Sequence, residues 1–319
     1  MSFALEVKDD LLKVNNSSSN ANRLELEAML RFGGEIIISR PMKLSFTCNN
    51  MGVVRRLIKL CKMFYDIEYD IESRVINRFD NHTVFTCVIT NDADKIIKEL
   101  NMLGTESDIR QSITTNEECM IAYLRGAFLV RGSVNDPMSK NSHLEIITNN
   151  ENEITLIQRL MNSFELNARI TKRKNYLVAY IKAKDSIGDF LYRMGATQSM
   201  SYYEDAIITK EIKANAKRAI NLDIANQDKT NGAALEQLKY IKYLEYNYNL
   251  QKLDSKLLMV MKVRKDHPES SLTQLLDVIH DEYDPKLTKS GLNHRFRKIK
   301  ELALELMKKK REEVWLVLI

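Results

Sequence analysis

Apolar positions along the chain alternate between helical spacing and short strand-like runs in a fixed order. The first well-defined helix carries apolar residues from Leu24 to Leu30 and is predicted to end in a glycine turn at Gly33 and Gly34. Two strands, a helix, two strands and a further helix then follow, predicted at 35–39, 43–49, 51–65, 66–71, 82–90 and 92–103. The order is therefore αββαββα.

The same order begins again at Glu117. A helix from Glu117 to Arg131 precedes a strand, a helix, a strand pair and a last helix, predicted at 143–148, 150–164, 167–171, 176–182 and 185–194. Residues 21–205 are thus a degenerate tandem repeat, with repeats at about 21–105 and 116–205. We expect an α+β domain of two antiparallel sheets with pseudo-twofold symmetry.

The remaining segments are predicted to be helical. Residues 1–20 form a short helix and a polar break, and residues 206–249 form a helical linker. A turn is expected within the linker at Asp228 to Gly232, before a helix from Ala233 to Tyr248. Residues 250–319 are predicted to be an all-α helix-turn-helix domain.

The helix-turn-helix prediction rests on three short helical segments. The first ends at His267-Pro268, the second opens with a capping-box pattern from Ser271 to Gln274, and the third begins at Thr288. On a helical wheel of the third helix, one stripe is apolar and is expected to face the other two helices. Its members are Leu292, Phe296, Ile299, Ala303 and Leu306.

The opposite face of the third helix carries residue types that recognise DNA. Asn293 can pair with adenine, Arg297 with guanine, and His294 can donate to an acceptor. Hydroxyls, a lysine and free backbone N–H groups coincide at its N-terminus and suit phosphate oxygens. The predicted DNA-binding residues are Ser271, Gln274, Thr288, Lys289, Ser290, Asn293, His294, Arg295, Arg297 and Lys298.

Charge and composition narrow the function class. Residues 1–205 have a net charge of −1, whereas residues 206–319 have +6, so the basic character belongs to the C-terminal third. A solvated basic face is the alternative explanation of that charge. The 4 cysteines and 5 histidines show no metal-ligand spacing, and no long apolar run occurs. We therefore expect no metal site, no membrane partner and a cytoplasmic location.

Two nine-residue segments, LEAMLRFGG and LRGAFLVRG, open the two repeats. They resemble the motif that names the LAGLIDADG homing endonucleases, in which paired motif helices touch through small residues. The resemblance implies an acidic metal ligand before the final glycine of each motif, but this chain has Gly33 and Arg131 there. The fold is expected without the nuclease chemistry, so no enzyme activity is predicted.

The whole chain also resembles the WhiA family of bacterial regulators, which joins a degenerate LAGLIDADG domain to a helix-turn-helix. The stretches RGAFLVRGSVNDP, RAINLDIANQDKTNGAALEQ and TKSGLNHRFRKI carry this resemblance. It implies a sequence-specific DNA-binding regulator of cell division and chromosome segregation, and of sporulation in spore-forming relatives.

The expected partner is double-stranded DNA of the nucleoid, with no cofactor and no small-molecule substrate. A second, protein partner on the LAGLIDADG-like domain is left open. The alternative is a scaffold that binds a division or transcription protein and touches DNA only nonspecifically.

Overall fold

The computed structural model describes residues 2–76, 82–104, 113 and 116–317. The chain divides into two compact units, Met1–Glu211 and Ile212–Ile319. The predicted end of the first repeat at residue 105 lies outside the described residues. None of the helices in the described ranges is long and apolar enough to cross a membrane.

The first unit contains two four-stranded antiparallel sheets and the helices that cover them. Its helices are α1 (Phe3–Leu11), α2 (Ser19–Gly33), α3 (Met51–Phe64), α4 (Ala93–Glu99), α5 (Glu117–Arg131), α6 (Glu151–Ser163) and α7 (Lys184–Met194). Its strands are β1 (Gly34–Ile37), β2 (Lys43–Cys48), β3 (Tyr69–Ile76), β4 (His82–Ile89), β5 (Gly132–Val134), β6 (Leu144–Thr148), β7 (Arg169–Arg173) and β8 (Tyr176–Ile181). The predicted α+β fold of two αββαββα repeats is confirmed.

The two sheets have equivalent strand orders, β1-β2-β4-β3 and β5-β6-β8-β7. Each sheet buries one face against helices. Leu44 and Phe46 of β2 lie on the buried face of the first sheet, and Leu144 and Ile146 of β6 lie on that of the second. These side chains join one hydrophobic core, in which α2 and α5 pack side by side. The pseudo-twofold arrangement follows from the repeat.

Asparagine caps begin several of these helices. The side-chain oxygen of Asn50 accepts from the Gly52 N–H at 2.7 Å, Asn116 from Glu118 at 2.8 Å, and Asn150 from Asn152 at 2.9 Å. Each cap satisfies a backbone donor that has no partner within its own helix. The sequence thus fixes where α3, α5 and α6 start.

The second unit is helical. Its elements are the C-terminal part of α8 (Thr197–Asn247), α9 (Ser255–Asp266), α10 (Leu272–Glu282) and α11 (Lys289–Val317). A separate hydrophobic core joins them and includes Ile241 and Leu244 of α8. Both residues lie in the segment that the sequence assigned to the linker.

Two local predictions are wrong, and one strand is not predicted. The turn predicted at Asp228 to Gly232 is absent, because α8 is continuous from Thr197 to Asn247. The glycine turn after α2 is also absent, since Gly34 is extended (φ −89°, ψ 146°) and opens β1 directly. The first strand of the second sheet, β5, had not been assigned, because three residues are too few to show alternation.

Candidate nucleic-acid interface

The helix α11 is held by the core of the second unit. Leu292, Phe296, Ile299 and Ala303 are buried, and Leu306 packs against the same cluster. The predicted apolar stripe is therefore confirmed. Since these residues fix the rotation of α11, they also determine which side chains face solvent.

The connection from α10 to α11 is closed by side-chain hydrogen bonds. The ring Nε2 of His280 lies 2.6 Å from the Leu287 carbonyl oxygen and can donate to it. The Thr288 hydroxyl oxygen accepts from the Gly291 N–H at 3.1 Å and so caps α11. Lys289 Nζ donates to the Thr273 hydroxyl of α10 at 3.2 Å. The start of α11 is thereby fixed against α10.

A buried arginine, Arg264, connects the three helices and was not identified from the sequence. Its guanidinium donates to the Ser270 carbonyl at 2.6 Å and to the His267 carbonyl at 3.3 Å. It also lies over the Phe296 ring, 5.5 Å from its centroid. Burial lowers the pKa of Arg264 to about 10. Its position among apolar residues of α9 gave no sequence signal, because arginine is ordinarily expected at the surface.

The exposed face of α11 brings together most of the predicted DNA-binding residues. Those that are exposed on it or at its start are Thr288, Lys289, Ser290, Asn293, His294, Arg297 and Lys298. Asn293 and Arg297 are one turn apart on the same side of the helix. This arrangement can present an amide and a guanidinium to adjacent base edges.

Three other predicted residues are placed differently. The Arg295 side chain is only 15% exposed and lies 3.6 Å from Asp284, so it is not on the exposed face. Ser271 and Gln274 form the capping box of α10, in which the Ser271 N–H donates to Gln274 Oε1 at 2.8 Å. Their first role is to start α10.

A groove of about 410 Å³ separates α11 from α8 within the second unit. Ala233, Glu236 and Tyr240 line it from α8, while Asn293 and Arg297 line it from α11. Lys300 Nζ bridges the two helices by donating to Glu236 Oε1 at 2.8 Å. The exposed face of α11 therefore has α8 beside it, which the sequence did not predict.

The two degenerate acidic positions of the first unit have no carboxylate to offer a metal. A Cβ atom on Gly33 would lie 2.7 Å from both Phe46 Cε2 and Val130 Cγ1. Arg131 donates from Nε to the Phe32 carbonyl at 2.9 Å, so a cation already occupies the end of α2. Among the described residues, no group of three or more His, Cys, Asp or Glu side chains could hold a metal ion.

Buried ion pairs lie between the paired helices of the first unit. Glu25 of α2 accepts from Arg56 at 2.8 and 3.0 Å, and Arg125 of α5 lies 3.6 Å from the same carboxylate. All three side chains are at most 5% exposed. This cluster gives no signal in the sequence, because its charged residues lie far apart in the chain.

The outer faces of the two sheets differ in charge. In the first sheet, the face opposite the core carries Glu35, Asp70 and Glu72 together with Lys43 and Arg74, and Arg74 lies 3.6 Å from Glu72. In the second sheet, Arg169 and Arg173 of β7 occupy the corresponding face. Arg173 is paired with Glu145 at 3.0 Å. Among the described strand residues, acidic charges thus outnumber basic ones on the first outer face, and basic charges outnumber acidic ones on the second.

Comparison with protein families accounts for nearly the whole chain. The WhiA N-terminal LAGLIDADG-like domain matches residues 19–103, the WhiA LAGLIDADG-like domain residues 120–213, and the WhiA C-terminal HTH domain residues 216–303. The chain belongs to the WhiA family. This membership confirms the family resemblance on which the sequence interpretation relied.

Relatives within the WhiA family support the same conclusion. The chain is 36% identical to "Probable cell division protein WhiA" of Exiguobacterium sibiricum, covering 95% of this chain and 96% of the relative. The protein of the same name from Halalkalibacterium halodurans is 34% identical, and the match covers 96% of each chain.

A solved structure in the WhiA family has the same fold. The crystal structure of full-length DUF199/WhiA from Thermatoga maritima superposes with a TM-score of 0.58 at 22% identity. The superposition covers 96% of this chain and 98% of that one.

Proposed function

We propose that this WhiA family member is a sequence-specific DNA-binding regulator that reads double-stranded DNA with α11. One observation carries the proposal: Asn293, His294, Arg297 and Lys298 are all exposed on the side of α11 that faces away from its buried stripe. A core that holds the opposite side of the helix leaves this face available for the major groove.

Different residues of this face are suited to bases and to backbone phosphates. Arg297 suits the two acceptors of guanine, Asn293 suits the donor and acceptor of adenine, and His294 can donate to an acceptor. Thr288, Lys289 and Ser290 surround the first N–H groups of α11 and suit backbone phosphates. Lys298 adds charge, so affinity should depend strongly on salt.

The names of the relatives support a proposed biological role. Proteins named as probable cell division proteins cover nearly all of this chain, and a helix-turn-helix domain fits a regulator that acts on the nucleoid. We therefore place this chain in the control of cell division and chromosome segregation. Sporulation applies to spore-forming relatives.

We further propose that the first unit binds without catalysis. Gly33 and Arg131 supply no metal ligand, and the space beside Gly33 is filled by Phe46 and Val130. Plasmid DNA incubated with this protein and magnesium should remain supercoiled. Nicking that survives changes at Gly33 and Arg131 would show that a nuclease centre lies elsewhere.

The Arg297→Ala variant tests the reading role of α11. On a duplex selected by the parent protein from a randomised pool, binding should weaken by about 1 to 3 kcal/mol, because a bidentate contact to guanine is lost. Fluorescence anisotropy with the selected duplex and with a random duplex measures this. Equal losses on the two duplexes would remove the base-reading role.

Lys289→Ala is the matched control for that experiment. Lys289 lies at the start of α11, which the proposed geometry directs at backbone phosphates, and its Nζ also donates to Thr273. Its loss should weaken binding to both duplexes alike and lower the salt slope by about one.

The acidic outer face of the first sheet favours a second candidate, a scaffold that binds a protein partner on the first unit. Removing residues 250–319 would be a poor test, because Ile241 and Leu244 of α8 would lose their buried partners. The full chain with Asn293→Ala and Arg297→Ala is the better one. Localisation and phenotype that survive the loss of DNA binding would favour the scaffold.

A further inference from the structure

The middle of α8 is a helical segment whose residues are all exposed. Every residue from 211 to 229 is exposed, although the segment lies inside a continuous helix of 51 residues. Helices in proteins gain most of their stability by packing one face against something else. A long exposed stretch with lysine, arginine and asparagine side chains is therefore a candidate contact surface.

The direction of α8 relative to α11 is fixed by two polar contacts. Lys300 of α11 donates to Glu236 of α8 at 2.8 Å, and Lys310 donates to Asn247 at 2.6 Å. Residue numbers increase together along both helices, so the helices run side by side in the same direction. With about 1.5 Å per residue, Lys229 lies at the level of Asn293.

The side of α8 that faces α11 continues as a stripe past the first residue of α11. Because successive helical residues are about 100° apart, Arg218 and Lys229 fall within about 40° of Glu236, Tyr240 and Asn247, the residues that face α11. By the rise per residue, Arg218 lies about 10 Å beyond the first residue of α11.

The acidic side chains of the exposed segment are paired or lie off this stripe. Glu211 lies about 20° from Glu236 on the wheel, but its carboxylate accepts from Lys184 at 3.0 Å. Asp223 and Asp228 lie about 140° and 80° away from Glu236, and Lys213 lies about 140° away. The remaining charged residues of the segment on this stripe are Arg218 and Lys229, and their charge suits a polyanion.

We propose that the α8 stripe, defined as Arg218 and Lys229, binds backbone phosphates of the same DNA duplex that α11 reads. A recognition helix enters the major groove through its N-terminal residues, so the part of α8 that extends past the start of α11 lies along the flanking backbone. Arginine, lysine and asparagine are the usual side-chain donors to phosphate oxygens. The inference rests on the proposed function of α11.

The test compares Lys229→Ala with Lys213→Ala in the full-length protein. Both variants remove one lysine from the same helix and replace it with a good helix former, so α8 should be retained equally. Only Lys229→Ala should lower the slope of log affinity against log salt by about one. The ratio of the parent's affinity to that of Lys229→Ala should therefore fall about threefold when the salt concentration rises from about 50 to about 200 mM.

A second arm locates the contact on the DNA. Duplexes selected by the parent protein carry neutral methylphosphonates at single backbone positions. If Lys229 binds a phosphate, a methylphosphonate at one backbone position should weaken DNA binding by the parent protein but leave DNA binding by Lys229→Ala unchanged. Arg218→Ala should lose sensitivity at a different position, farther from the bases that α11 reads.

The outcomes separate this inference from the function of α11. Equal salt slopes for Lys229→Ala and Lys213→Ala would overturn the stripe while Arg297→Ala still showed base reading. A dimer that Lys229→Ala dissociates would assign the stripe to a second copy of the chain, which also overturns the proposal. Normal binding by Arg297→Ala would instead remove the proposed function itself.

Discussion

At the scale of single residues, close approach decides where glycine is needed in the paired helices. A Cβ atom on Gly126 of α5 would lie 2.5 Å from the Glu25 carbonyl oxygen and 2.9 Å from Ala28 Cβ. Small residues therefore allow α2 and α5 to touch. The buried carboxylate of Glu25 lies at the same contact and is satisfied by Arg56, so apolar packing and paired charges share one interface.

Gly126→Ala should destabilise the first unit by about 1 to 3 kcal/mol, because the added methyl group separates two backbones that cannot both relax. Urea unfolding of the full chain measures the change. Gly188→Ala in α7 is the matched control, since its Cβ would meet only Glu204 Oε1 at 4.0 Å. Similar midpoints for the two variants would contradict the close-contact argument.

At the scale of elements, α8 remains helical although its sequence contains residues that favour a turn. Asp228, Asn231 and Gly232 suggest a turn, but each costs a helix at most about 1 kcal/mol and proline is absent from the segment. Helix-forming residues on both sides and the packing of Ile241 and Leu244 outweigh that cost. A Cβ on Gly232 would meet nothing within 4 Å.

Gly232→Ala should therefore stabilise the second unit by about 0.4 to 1 kcal/mol, because alanine loses less backbone entropy in a helix. Thermal unfolding followed by circular dichroism tests this. Gly195, with φ 89° at the end of α7, is the opposite case, and Gly195→Ala should destabilise. Destabilisation by Gly232→Ala would indicate that a turn does form there.

At the scale of the whole molecule, the basic charge lies in separate places. The C-terminal third carries the excess of lysine and arginine, while the described outer face of the second sheet carries Arg169 and Arg173 against Glu145. On the outer face of the first sheet, Glu35, Asp70 and Glu72 outnumber the described basic residues, which makes that face less suited to phosphate. Any contact of the first unit with DNA should therefore use the second sheet.

Two charge reversals test this asymmetry. If the first unit contacts DNA through the second sheet, Arg169→Glu should weaken binding to a random duplex several-fold at low salt, because attraction becomes repulsion. Glu72→Lys on the first sheet should change it much less. Filter binding at two salt concentrations measures both. Equal effects of opposite sign would mean that the two sheets lie equally close to DNA.

The sequence predicted most of the candidate site because that site is local. The faces of α11 follow from residue spacing within one helix, and Leu292, Phe296 and Ile299 are buried where the wheel places them. Arg295 was misassigned because its partner, Asp284, lies in the preceding turn and not on the same helix. Arg264 was missed for a similar reason, since its acceptors belong to a loop.

The sequence by itself determined the repeat, the strand and helix order, the lost carboxylates at Gly33 and Arg131, and the two faces of α11. Periodicity and residue chemistry carry this information without reference to distant partners. Only the tertiary structure decided that Glu25 pairs with Arg56, that α8 is continuous beside α11, and which charged residues share each outer sheet face. Those features depend on residues that meet only when the chain folds.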